Sequence, residues 1–517
     1  MFLIVFIAGA LSLSAAAQHA YAEDGQAPLT AGETAASDPA PVVPEAVVSD
    51  GLFNISSVSR DGYSISVKGE STKAKAKAIL SQTATTNWAQ KWIVVRDATT
   101  GYYSIRNLGS RMMLGVSGKV KSGAVVKQLK QAGASSAKQL WMLYKNGNAI
   151  TFRSAANPSL ALTVSGKTGK DPALKLKPLA GAQATPSPSE TQQFTLKEVG
   201  AIEDAHSFFV CNAKTGKAVS VLKNSRKNNA KLGLEKKKAV RNQKFRFFDL
   251  GKSTYNLQCA SSCKYVGAKG GALRQYSSKA GKTKKWKVAL DYQTGTFSIA
   301  SAASPAKRLD ASANKLSLKA ASAAQEQQFV LIPTYGFKVY LDPGHGRSGG
   351  IYDPGAEGSG REEAPLTKDL VNRIEEQLEG TDVEVVNGGK FDLAYWQRRT
   401  KAASLKCDVV LSAHFDTDGA GGTTSTMVGT SGPLSQSMAF NRIIHANLVS
   451  STGLGDGGTM HRSDITIVNG KVPSVLMEVC FIDDPGSLRK YLNRRDSVAQ
   501  SLAQGIVQAS QTPGVQR

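Results

Sequence analysis

Residues 338–346 read Lys-Val-Tyr-Leu-Asp-Pro-Gly-His-Gly, a short apolar run that stops abruptly at Asp342-Pro343-Gly344-His345-Gly346. An apolar run this short, bounded by turn residues, predicts a buried strand, and the two glycines around His345 let the backbone turn sharply and present the imidazole to a cleft. Working outward, further strands are expected over 382–386, 409–414, 426–430, 465–468 and 475–481, and helical periodicity fits 363–378, 434–450 and 496–508. Strands alternating with helices predict an α/β domain over residues 336–512 built on a mixed twisted sheet.

Four of the six histidines lie in the last 181 residues. A hydrolytic zinc needs about three His or carboxylate ligands with a further position left for water, best held on strand ends and the first turn of a helix. Three residues stand in such places. His345 follows a strand, Glu363 follows Gly358-Ser359-Gly360-Arg361 and opens an amphipathic helix, and His414 ends the strand Val409-Val410-Leu411-Ser412-Ala413. A general base must stand close to the metal but off it. Glu478 lies inside Val475-Leu476-Met477-Glu478-Val479-Cys480-Phe481, where a lone carboxylate is costly unless it is paired or its pKa is raised for proton transfer. His445, inside a helix, reads as a surface or packing residue, and His461 as a loop residue at the cleft's edge.

These motifs resemble the zinc-dependent N-acetylmuramoyl-L-alanine amidases of the type 3 family, over about Lys338 to Ser510. The resemblance rests on Asp342 to Gly346, on Asp-Pro-Gly-Ala at 353–356, on the Gly358 to Glu363 spacing, on Ser412-Ala413-His414-Phe415-Asp416, and on Pro473 to Phe481. It implies a Zn²⁺ held by His345, Glu363 and His414, with Glu478 activating water to cut the amide between N-acetylmuramic acid and the L-alanine of the peptidoglycan stem peptide. Two departures are present: Asp416 stands where many relatives have Asn, and neighbouring Glu362 leaves the glutamate ligand open by one position, with the helix register favouring Glu363.

Charge marks where this domain starts. The chain of 517 residues carries +24 overall, but residues 1–50 have six acids and no Lys or Arg, residues 51–336 have 46 basic and 13 acidic residues (+33), and residues 337–517 have 18 and 21 (−3). A change of that size near residue 336 predicts a domain boundary. Length alone predicts about three domains.

The basic segment is repetitive. Gln90-Lys91-Trp92, Gln139-Leu140-Trp141, Gln192-Gln193-Phe194, Gln243-Lys244-Phe245, Lys284-Lys285-Trp286 and Gln327-Gln328-Phe329 form six Q-x-aromatic copies, one with Lys for Gln. A repeat of this size cannot bury its own aromatic, so three are expected to close around a shared core, giving two all-β modules at 51–200 and 201–335. The pattern resembles the β-trefoil of ricin-B-type lectins. In that family a sugar-binding repeat usually carries an aspartate in a Leu-Asp-Val-like strand. Here the matching segments read Leu114-Gly115-Val116, Leu162-Thr163-Val164 and Val219-Ser220-Val221, and only Leu309-Asp310-Ala311 keeps the acid.

The lysine excess, in stretches such as Lys236-Lys237-Lys238, Lys223 with Arg226-Lys227, and Lys282 with Lys284-Lys285, instead predicts attachment to anionic cell-wall polymers or glycans. Nucleic acid is not expected as a partner, because the chain reads as secreted. Residues 1–22 form an apolar run ending in Ala20-Tyr21-Ala22, a signal peptide; residues 23–50 read as an acidic flexible linker. No Lys or Arg precedes the apolar run, which is compatible with a start upstream of Met1. No stable membrane insertion is expected after cleavage. Cys407 and Cys480 read as buried thiols, while Cys259 and Cys263 are spaced for a local disulfide, or for one of them to reach Cys211. The expectation is thus a multidomain, secreted, wall-associated bacterial autolysin: two trefoil modules and an α/β zinc hydrolase. The competing reading is a non-enzymatic wall- or carbohydrate-binding protein with a degenerate amidase domain.

Overall fold

The structure, a computed structural model, describes residues 45–84, 86–133, 136–166, 171–180, 188–334, 336–417 and 421–515. The expected signal peptide and most of the acidic linker lie outside the described residues. The linker's last residues are held: the Val47 amide donates to the Tyr103 hydroxyl at 2.8 Å, and Asp50 accepts from the Arg96 amide.

The chain is multidomain, with a β-rich trefoil region followed by an α/β domain. Strands from Gly51–Ser57 to Phe194–Glu198 form one twelve-stranded antiparallel assembly, and those from His206–Asn212 to Phe329–Pro333 form a second. Each closes on itself, since its first strand pairs with its last, as Phe53 with Glu198 and Phe208 with Pro333. The six repeated aromatics are core residues. Trp92, Trp141 and Phe194 pack in the first module, and Phe245, Trp286 and Phe329 in the second, all 1 % exposed or less. The repeated glutamine is a clamp: in five repeats its amide ties down a neighbouring segment, as Gln90 does with Gln82 O and the Ala84 amide. The modules also share a core, because Trp88 of the first packs against Phe208 and Phe297 of the second.

In the α/β domain, β1 (Lys338–Pro343), β2 (Glu384–Asn387), β3 (Val409–Asp416), β4 (Thr423–Gly429), β5 (Gly455–Arg462) and β6 (Ser474–Phe481) form a sheet in the order β2-β1-β3-β6-β4-β5. All neighbours are parallel except β4 against β6. Because side chains alternate along a strand, Val339 and Leu341 join the core beneath α1 (Glu363–Gln377), α3 (Leu434–Thr452) and α4 (Pro485–Ser510). Tyr340 faces the opposite layer, with Ala402 of α2 (Tyr395–Ser404). Both faces are covered, as a largely parallel sheet requires.

Several expectations are corrected. Residues 465–468 hold a 3₁₀ turn, Thr466–Val468, and the strand of that region is β5, whose glycines hide it from a hydropathy reading. Helix α4 begins at Pro485 because Asp484 caps it, accepting from the Gly486 and Ser487 amides. Helix α2 is short and polar, burying only Arg398 and Ala402, so a hydropathy reading passes over it. All five cysteines are free and buried, so neither disulfide pairing exists; Cys259 lies 3.3 Å from the Ser261 hydroxyl, and Cys263 is directed at Arg246.

Candidate metal centre

The sheet places the site at the C-terminal ends of β1, β3 and β6. His345 occupies the turn after β1 with φ +60°. His414 lies near the end of β3, where the parallel register sets it beside Glu478 of β6. Glu363 is the first residue of α1, where the helix N-terminus favours a carboxylate.

Glu363 is the hub, 2 % exposed. His345 Nε2 lies 3.1 Å from its Oε2, and His414 Nδ1 lies 2.9 Å from its Oε1. The Ala356 and Phe415 amides donate to the same carboxylate at 2.9 and 3.0 Å. Burial pushes its pKa up, yet the His414 hydrogen bond, the backbone donors and the histidine charges together hold it below the ordinary glutamate range. Glu362 is exposed and hydrogen-bonds the Tyr352 hydroxyl instead, so the structure brings Glu363, not Glu362, to the two histidines.

The histidine and Glu363 ligand atoms all lie within 4.8 Å of one another, and the imidazoles meet edge to face with centroids 5.0 Å apart. Two histidines and one carboxylate suit zinc, and small torsional adjustments close this spacing to the roughly 3.4 Å edge of a tetrahedron with arms of about 2.1 Å. The glycines of the motifs make that approach possible. A Cβ on Gly344 would lie 2.4 Å from the His414 ring, and one on Gly355 would lie 2.6 Å from Glu363 Oε2.

Glu478, on the neighbouring strand, is 9 % exposed, and its Oε2 is buried without a hydrogen-bond partner. Burial, reinforced by the negative charges of Asp416 and Glu363 and opposed by His414, pushes its pKa up to about 8. An orphaned buried carboxylate oxygen with a raised pKa, beside a cluster of histidines, is a feature that concentrates at functional sites.

Three supporting residues were not anticipated as parts of the site. Asp353 Oδ2 lies 2.9 Å from His345 Nδ1, fixing the ring so that Nε2 faces Glu363. Arg398 of α2 donates to Pro343 O at 2.6 Å and His345 O at 2.7 Å, clamping the turn. Asp342 is buried, receives Arg398 and the Ser412 hydroxyl, and is therefore an anchor of the turn. The Asp353 signal was present in Asp-Pro-Gly-Ala; Arg398 had none, since its helix was not foreseen. His445 stands apart, held between Thr426 and Asp456, and His461 is exposed on β5.

His345 borders two clefts. One, of about 370 Å³, holds His414, Glu478, Tyr395 and Ile465; the other, of about 330 Å³, is lined by Tyr352, Phe391 and Lys368.

Known proteins resemble two parts of the chain. Residues 339–509 match the family described as N-acetylmuramoyl-L-alanine amidase, and residues 43–129, 88–176 and 241–327 match the ricin-type beta-trefoil lectin domain-like family. The N-acetylmuramoyl-L-alanine amidase LytC of Bacillus subtilis is 28 % identical over 181 residues, 34 % of this chain and 36 % of LytC; the chain thus spans little more than a third of that relative. An uncharacterized protein of the same organism, YqiI, is 27 % identical over 34 % of this chain and 85 % of its own length. The solved catalytic domain of CwlV, an N-acetylmuramoyl-L-alanine amidase from Bacillus (Paenibacillus) polymyxa var. colistinus, is 29 % identical, covering 33 % of this chain and 96 % of that one, with a TM-score of 0.30.

Proposed function

Since the chain carries an N-acetylmuramoyl-L-alanine amidase domain behind ricin-B-like trefoil repeats, we propose that it is a secreted, zinc-dependent peptidoglycan amidase held on the cell wall by its basic modules. It cuts the amide between the lactyl group of N-acetylmuramic acid and L-alanine. The observation that carries this reading is the unpartnered Glu478 oxygen beside the His345, Glu363 and His414 cluster. A protein with a decayed site would be expected to lose at least one of these four, which disfavours the non-enzymatic alternative.

His345, Glu363 and His414 would hold the zinc, which when bound would supply a Lewis acid for the amide carbonyl and a water whose pKa is lowered towards about 7. Glu478 takes a proton from the attacking water as the carbon–oxygen bond forms, and returns it to the L-alanine nitrogen as the carbon–nitrogen bond breaks. Burial raises the proton affinity of Glu478, and the positive charge of a bound metal beside it would bring that affinity back towards the range a base needs. Asp353 and Arg398 keep His345 in place while this happens.

Support for charge-based attachment comes from the trefoils. Asp310, the one acid kept at the sugar-binding position, is 3 % exposed, and its oxygens are occupied by the Ser312 amide, Gln327 and Lys319. Among the described residues no helix is long and apolar enough to cross a membrane.

The test is digestion of purified peptidoglycan by the full chain. New L-alanine amino termini without new muramic acid reducing ends are expected. Glu478→Gln should abolish their release while keeping bound zinc, and His345→Ala or His414→Ala should lose the metal itself. Reducing ends in place of amino termini would place the chain in another class of wall hydrolase.

A further inference from the structure

Outside the metal centre, a cleft of about 900 Å³ opens between the first repeat of the second trefoil and the C-terminal half of α1. Its walls carry six cations, Lys217, Lys223, Arg226, Lys236, Lys238 and Arg241, against the carboxylates of Glu235, Glu376 and Glu379. Glu235 receives the Ser220 hydroxyl, and Glu379 is turned to Arg241, which also donates to Glu375 O at the end of α1. Among the described residues, no carboxylate pairs with Lys223, Arg226, Lys236 or Lys238. Arg241 and Lys390 are both held below their ordinary range, by burial first and, against the pull of Glu375, also by the charge of Arg226. The cleft therefore carries an uncompensated positive field.

Comparison among the repeats shows that this is specific to one of them. Each clamping glutamine accepts from one backbone amide and donates to the carbonyl two residues before it. The clamped pairs are Gln82 and Ala84, Lys130 and Ala132, Pro178 and Ala180, Lys236 and Lys238, and Ala320 and Ser322. The scaffold is constant, but only the fourth repeat places lysine at both positions. Gln243 fixes Lys236 and Lys238 on the cleft while Lys237 between them turns to the Phe209 ring, 4.8 Å away. This is also the repeat that docks on α1, through Arg241.

The ligand follows from the lining. Among the described residues no aromatic side chain lines the cleft, so they offer neither base stacking nor sugar-ring stacking. Cations on separate loops, with Asn224 and Asn242 between them, suit phosphates separated by hydroxyl-bearing units. The volume is near the upper end of the roughly 300–1,000 Å³ of small-ligand pockets, more than a single phosphate fills.

We infer that this composite cleft is the seat of a phosphodiester-linked polyol chain, a specific anchoring site at the far end of the helix whose first residue is Glu363. The two ends are about 20 Å apart along the axis. The inference rests on the reading that the basic modules attach to anionic wall polymers, and localises that attachment.

The test measures binding of the full chain to poly(glycerol phosphate) at physiological salt. The triple variant Arg226→Glu, Lys236→Glu, Lys238→Glu should bind at least about tenfold more weakly, with a log-affinity against log-salt slope shallower by about 2. A control triple on exposed lysines of the first module, Lys73→Glu, Lys119→Glu, Lys121→Glu, should lose less than about threefold. Unchanged thermal unfolding shows that each variant folds; should the charge reversals unfold, the neutral pair Lys236→Gln, Lys238→Gln carries the same comparison with a smaller loss. Equal losses in cleft and control variants would overturn the cleft while leaving diffuse attachment intact, whereas no binding by the parent chain would overturn attachment itself. Competition by inorganic phosphate as strong, per phosphate, as by the polymer would reassign the cleft to free phosphate. Equal binding of polyuridylate would reassign it to nucleic acid.

Discussion

Arg246 and Glu384 form a buried ion pair across the boundary between the second trefoil and the catalytic domain, with Nε 2.7 Å from Oε1. Glu384 opens β2, the edge strand of the catalytic sheet, and the Ser207 hydroxyl donates to the same oxygen. Arg246 also donates to Val385 O, and Lys338 of β1 reaches Ala205 O of the trefoil. A bare sheet edge invites wrong pairing. Here the trefoil covers that side of the sheet with buried charge, which makes the second module part of the catalytic domain's framework.

Removing one partner leaves the other charged and buried. Glu384→Ala is therefore expected to cost about 3–5 kcal/mol, seen as a lower midpoint in denaturant or thermal unfolding, whereas Arg246→Met with Glu384→Leu should recover much of the loss. The catalytic segment expressed alone should also be less stable than in the full chain. A single Glu384→Ala variant as stable as the parent would show that the pair holds nothing together.

The same pair predicts acid sensitivity. Burial works against Glu384 ionisation, but the charges of Lys338 and Arg246 and the Ser207 hydrogen bond hold its pKa at about 2, below the ordinary 4.5. A carboxylate depressed in the folded state stabilises fully above its unfolded pKa, and that stabilisation disappears as pH falls towards the folded value. Stability should thus drop between about pH 4.5 and 2, by a few kcal/mol from this group, and the drop should be smaller in Glu384→Gln. An unchanged profile in that variant would assign the acid transition to other carboxylates.

The sequence points to the clustered residues because their setting is local: His345 sits between glycines, His414 at a strand end, and Glu363 at a helix start. The core aromatics are legible for a similar reason, since a residue repeated once per repeat has one place to go. What holds these parts is not local. Arg398 reaches the β1 turn from a polar helix 53 residues away, and Glu384 meets Arg246 across 138 residues. The pairing of β5 lies in a glycine-rich stretch that carries no strand pattern, and Cys259 and Cys263 have the spacing of a pair but separate partners.

Gly344→Ala tests whether close ligand approach, and not the turn alone, requires glycine. Gly344 is not among the residues with positive φ, so alanine is allowed by its backbone, yet its Cβ would meet the His414 imidazole at 2.4 Å. The variant should fold near the parent's stability while binding zinc at least about tenfold more weakly, a loss of about 1.4 kcal/mol or more, as read by metal competition. Full metal affinity would mean that His414 moves aside without consequence.

Tyr395 and Trp396 are 62 % and 55 % exposed and pack edge to face, their centroids 4.9 Å apart, at the start of α2. Tyr395 lines the cleft that holds His345, His414 and Glu478, and Trp396 packs against it. Exposed aromatics at a cleft are best explained by a ligand that covers them, and a ring stacked on sugar or peptide contributes about 0.5–1.5 kcal/mol. Tyr395→Ala should accordingly raise KM for peptidoglycan by about 2- to 12-fold with zinc content and kcat retained, while Tyr395→Phe stays near the parent. A fall in kcat at unchanged KM would instead place Tyr395 among the groups that act on the reacting amide.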